Sequence, residues 1–130
     1  MIKIASNEYY RIEIDTTKNR VFLTITGFWQ LSNVSNYIDH WRETVKFVKP
    51  GYTILLDTRQ AITHPKEVME MRQEAMRIAI NAGLLKSAEL TSKNIIAQFQ
   101  LDTMSKNTAY PKQKFDNIEQ AEQWLNELSS

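Results

Sequence analysis

Between Pro50-Gly51 and Asp57 lies Tyr52-Thr53-Ile54-Leu55-Leu56, an uninterrupted apolar run. A short run that does not alternate with polar residues is what a central strand covered on both faces requires. It therefore demands a layered fold with material above and below the sheet. The flanks supply it. From Ser32 onward Val34, Tyr37, Ile38, Trp41, Val45 and Val48 recur three or four apart, one stripe of a helix that Pro50-Gly51 stops. Beyond the run, Pro65 suits the first turn of a helix, where its missing N–H has no partner to lose. Val68, Met71, Ala75, Ile78, Ala79 and Ala82 then continue a second stripe as far as Gly83.

The remaining segments extend this pattern. Tyr10, Ile12 and Ile14 alternate with Arg11, Glu13 and Asp15, the period of a half-buried strand, and after the turn Thr16 to Asn19 the run Val21 to Thr26 reads as its hairpin partner. Asp57 marks the carboxyl end of the central strand. Leu85 to Leu90 reads as a further strand, and Asn94 to about Ser105 as a helix with Ile95, Ile96 and Phe99 inward. Lys114-Phe115 forms a very short last strand. Asp116 and Glu119 have capping spacing and open a final helix carrying Ile118, Ala121, Trp124, Leu125 and Leu128. The expected fold is α/β, a mixed sheet in the order β-β-α-β-α-β-α-β-α. Residues 1–130 show no repeat, linker or low-complexity tract and are read as one domain.

Composition enters as a filter on function. Sixteen basic against fifteen acidic residues give a net charge of +1, too weak a field to call for nucleic acid. Cysteine is absent, so a thiolate metal site and a cysteine nucleophile are excluded. Gly27, Gly51 and Gly83 are isolated from one another, which disfavours a phosphate-binding loop. His40 and His64 have no metal-ligand spacing, so no metal and no cofactor is expected. The segment Met1 to Glu8 lacks the apolar core of a secretory signal, and no stretch approaches the ~20 apolar residues of a membrane span. These features read as cytoplasmic.

Three local sequences carry a family resemblance. They are Gly27-Phe28-Trp29 before the first long helix, Ile54-Leu55-Leu56-Asp57-Thr58-Arg59 in the central strand, and Phe115-Asp116-Asn117-Ile118-Glu119-Gln120-Ala121-Glu122-Gln123-Trp124-Leu125 near the carboxyl end. In this order they resemble the STAS-like folds of bacterial anti-sigma-factor antagonists, in particular the uncharacterised STAS/Sec14-type bacterial branch, from about Tyr9 to Leu128. The resemblance implies a non-catalytic protein-interaction or regulatory module. In the antagonists a phosphorylatable serine in an Asp-Ser sequence opens the helix after the central strand. Here that stretch is Ala61-Ile62-Thr63-His64-Pro65-Lys66, without an Asp-Ser pair, and Thr63 is the hydroxyl nearest that place.

Asp57, Thr58, Arg59, Thr63 and His64 gather at the carboxyl end of the central strand, where open α/β sheets usually bind ligands or partners. An Asp orienting a His could move protons there. The plainer reading pairs Asp57 with Arg59 and leaves His64 as the residue before Pro65. Phe28 and Trp29 either close the core or form the wall of a pocket or dimer contact. Met69, Met76 and Ile80 lie on a flank of the second helix and are interface candidates. Three functions stay open: an interaction module with a protein partner or a second copy of the chain, a carrier or sensor of a small apolar or lipid-like ligand, and an enzyme using Asp57 and His64.

Overall fold

A strand that the sequence reading leaves out begins the chain. In the computed structural model, which describes residues 1–127, Ile2–Ser6 (β1) pairs antiparallel with Tyr10–Asp15 (β2), and β2 pairs antiparallel with Arg20–Gly27 (β3). The expected order thus gains one strand at its amino end. Then follow α1 (Tyr37–Thr44), β4 (Thr53–Ala61), α2 (Lys66–Asn81), β5 (Lys86–Leu90), α3 (Ile95–Thr108), β6 (Lys112–Phe115) and α4 (Ile118–Asn126). Single 3-10 turns, Leu31–Asn33 and Val45–Phe47, flank α1, so the first helix is shorter than its stripe. The six strands form one mixed sheet in chain order, with β3 to β6 mutually parallel.

Each parallel connection steps to the next strand in the same direction. Crossovers of one hand therefore place α1, α2 and α3 on the same face. Beneath them lie Ile12, Leu23, Ile54 and Leu56, packed with Trp29, Tyr37, Trp41, Val68 and Ala75. The other face is covered by α4, whose Ala121 and Leu125 pack on Leu55, Ala88 and Leu90. Every residue from Tyr52 to Leu56 is buried, as a strand covered on both sides must be.

Three local expectations need correcting. Asp57 does not end the central strand. Opposite β5 the ladder stops at Asp57–Leu90, but after an irregularity between Thr24 and Thr26 the β3 side pairs on to Gly27–Ala61. In α3, Ile95, Ile96 and Phe99 point outward, being 85%, 62% and 70% exposed. The buried side is Ala97, Leu101, Met104 and Ser105. The cap of α4 is Asn117, whose side chain accepts from the Gln120 amide at 2.9 Å, rather than Asp116. Leu128 lies outside the described residues.

Candidate functional site

At the carboxyl ends of β3 and β4 the chain turns twice in close succession. Gly27 takes a left-handed φ of 71°, which frees the chain to leave β3 and turn Trp29 inward. Trp29 is fully buried, and its indole N–H donates to Tyr9 O at 3.1 Å and to Thr26 O at 3.0 Å. Phe28 stays 46% exposed. Of the two roles open to this pair, Trp29 closes the core and Phe28 faces outward.

His64 joins this turn to the helices. It is buried and stacks on Trp29 with ring centroids 4.9 Å apart. Its Nε2 lies 2.9 Å from Gly27 O, and its Nδ1 lies 3.2 Å from Arg72 Nη1. A carbonyl only accepts and a guanidinium only donates, so the imidazole is neutral with its proton on Nε2. Burial, then the Arg72 charge, pulls its pKa from 6.5 to about 4, against the opposing bond to Gly27. The His64 backbone N–H and C=O both bond the Gln100 side chain on α3, each at 2.9 Å. His64 is a structural joint between β3, α2 and α3.

Asp57 belongs elsewhere. Alternation along β4 places it with Leu55 on the α4 side, whereas His64 stacks on Trp29 of the opposite core and bonds Arg72 of α2. Its carboxylate takes a two-point contact from Arg59, at 3.0 Å from Nε and 2.9 Å from Nη2. Burial pushes its pKa up, but the Arg59 side chain and amide outweigh that and hold it below the ordinary value. The plainer sequence reading of Asp57 and Arg59 describes this geometry, and the structure brings Asp57 and His64 into no shared hydrogen bond. Thr58 is fully buried and donates to Leu90 O at 2.7 Å. Thr63 is half-buried in the segment 62–65 ahead of α2.

The outward side of α3 changes the character of this end of the molecule. Phe99 lies four residues after Ile95 and three after Ile96, so the three share one helical surface. The α3 segment adjoins the strand ends through Ser92 Oγ, which donates to Ala61 O, and through the bonds between Gln100 and His64. Phe28 and Ile62, the latter 43% exposed, are further large apolar side chains exposed in the segments that leave these strands. Met69, Met76 and Ile80 do not form such a surface. Met76 lies in the core, and Met69 and Ile80 are half-buried against it.

Sequence reasoning missed the buried charges. Arg72 is only 7% exposed. It stands four residues after Val68 and three before Ala75, so a charged residue in register with the apolar stripe was the available signal. Glu89 is fully buried and accepts from Lys112 Nζ at 2.8 Å and Gln98 Nε2 at 2.7 Å. Asp102 bridges Lys112 and Lys114, each at 2.7 Å. Under α2 a cavity of about 20 Å³ is lined by Leu23, Tyr37, Trp41, Arg72, Met76 and Tyr110. It has room for about one water and none for a lipid-like molecule. Among the described residues no group of three or more His, Asp or Glu side chains could hold a metal ion. No helix there is long and apolar enough to cross a membrane.

No protein family and no curated protein matches the sequence. Among solved structures the chain is similar to SiaC of Pseudomonas aeruginosa, with a TM-score of 0.57 at 10% identity over 88% of this chain and 98% of that one. The crystal structure of apo-SiaC from the same organism gives a TM-score of 0.58 at the same identity and coverage. At this identity the likeness is one of α/β fold.

Proposed function

We propose that the chain is a STAS-like, non-catalytic protein-interaction module of the bacterial cytoplasm, and that it docks its partner on the outward side of α3. One observation carries this reading: Ile95, Ile96 and Phe99 are 62% to 85% exposed on one helix. A grouped set of large apolar side chains at the surface is a feature of docking surfaces more than of inert ones. The fold shared with SiaC is compatible with this reading and does not carry it. The carrier reading loses support because the apolar cavity under α2 is only about 20 Å³, and the larger hollow of about 360 Å³ at the amino ends of β3 and β4 is lined by Lys18, Arg20, Thr53 and Asn126, a polar wall unsuited to an apolar ligand. The enzyme reading loses support because the candidate acid and base have separate partners.

Native mass spectrometry of the protein purified gently from its host, beside the Phe99→Asp and Ile96→Asp variants, tests the proposal. The expected result is a second protein chain, of this or another sequence, held by the wild type and lost from both variants. A wild type that is monomeric and alone, or a complex that both variants retain, overturns it.

A further inference from the structure

We infer that the cavity beneath α2 is a binding site for a single halide-sized monovalent anion, held by the Arg72 guanidinium and the Trp41 indole N–H. Arg72 is a buried cation whose guanidinium makes, among the described residues, one hydrogen bond, to the neutral His64, and lies 5.7 Å from the Trp29 ring centroid. Neither neighbour carries a negative charge. Glu89 is the acid whose field reaches Arg72, and it is already engaged by Lys112 and Gln98. Asp102 is engaged by Lys112 and Lys114. Arg72, Lys112 and Lys114 against Glu89 and Asp102 leave one positive charge over, and it is the one farthest from water.

The same cavity gathers donors. Trp41 Nε1 is buried with no well-formed hydrogen bond, its polar neighbour being the Tyr37 phenol. Tyr37 and Tyr110 also line the space, and burial raises both phenols, Tyr37 to about 12, so they are neutral and able to donate. An unpaired buried cation and a poorly bonded buried N–H are each costly, and a water would satisfy the second without neutralising the first. A monovalent anion does both. The volume of about 20 Å³ selects a monatomic ion over a carboxylate or phosphate, which need space for several heavy atoms.

Bromide serves as the probe, since it scatters anomalously and is close to chloride in size. Crystals of the intact chain soaked in sodium bromide should show a bromine anomalous peak between Arg72 and Trp41. In solution, the thermal midpoint at fixed pH and ionic strength should rise saturably when bromide replaces gluconate. Trp41→Phe keeps a ring in place while removing the N–H, and it should raise the half-saturating bromide concentration about tenfold. Arg72→Met should abolish the response; if it does not fold, the wild-type peak and the Trp41→Phe shift decide. No peak in the cavity, or equal midpoints in bromide and gluconate, overturns the proposal. A peak without any solution response also overturns it, as binding at crystal concentration only.

Discussion

The His64 ring is held between a donor and an acceptor of fixed kind: Arg72 Nη1 stands 3.2 Å from Nδ1, and Gly27 O stands 2.9 Å from Nε2. A second proton on this ring would have to lie on Nδ1, facing a guanidinium that can only donate. The geometry therefore fixes both the tautomer and the neutral state, and it links the turn after β3 to α2 through one side chain.

This arrangement has a pH signature. In the unfolded chain the imidazole takes up a proton near pH 6.5, and in the fold only near pH 4. Between those values the unfolded state binds the proton and the native state does not. Stability should therefore fall as the pH drops below about 6.5 and level off below about 4, by about 3 kcal/mol in all. Above 6.5 His64 adds no pH dependence. The lowered carboxylates Asp15, Asp57 and Asp102 contribute stability that starts to fade only as the pH nears 3.8. Urea unfolding from pH 7.5 to 4 checks this, and His64→Gln should flatten the upper part of the profile. An unchanged slope in that variant would count against the assignment.

Two neighbouring residues on α3 should behave oppositely. Phe99 is 70% exposed, so Phe99→Asp should change the unfolding free energy by no more than about 0.5 kcal/mol. Leu101 is 2% exposed, and Leu101→Ala should cost about 2–5 kcal/mol. Chemical denaturation of both variants measures the contrast, and the reverse ranking would mean that α3 is rotated about its axis.

The buried acid Glu89 makes the two ends of its ion pair unequal. Lys112→Met leaves Glu89 buried with only the Gln98 amide and should cost about 3–5 kcal/mol. Glu89→Gln removes the charge itself, and Lys112 keeps Asp102, so the loss should be only about 1–2 kcal/mol. Equal losses in equilibrium unfolding would argue against this account.

Ala109 ends α3 in the left-handed conformation, with φ of 57°. Glycine adopts that conformation without the steric penalty of a Cβ. Ala109→Gly should therefore stabilise the protein by about 1 kcal/mol, measured as a higher urea midpoint with an unchanged slope.

The central part of the fold was legible because Tyr52 to Leu56 is an unbroken apolar run and the stripes from Val34 to Val48 and from Val68 to Ala82 follow the helical period. β1 was not legible, since Ala5, its buried residue, directly follows Ile4 across a register shift and so breaks the alternation of Ile2 and Ile4, and pairing with β2 stabilises what local sequence does not. α3 was read with the wrong side inward because it is apolar on both. Ile95, Ile96 and Phe99 are the larger group, yet the small Ala97 and Ser105 let the helix approach its neighbours along the side of Leu101 and Met104. In the candidate site, the pairing of Asp57 with Arg59 could be read from their spacing, two apart on one strand. The pairing of His64 with Arg72 could not, because it requires knowing that Arg72 faces inward. The same unread orientation hid the buried cation beneath α2.

The sheet order β1-β2-β3-β4-β5-β6 repeats the order of synthesis. Each strand leaving the ribosome finds its partner already made, and the growing edge moves steadily in one direction. The exception is α4, which seals Leu55, Ala88 and Leu90 only after every strand is in place. A released chain that ended before Ile118 would carry a nearly finished sheet with one sticky face bare. A premature stop codon at that point should thus yield a species that chaperones hold or proteases remove.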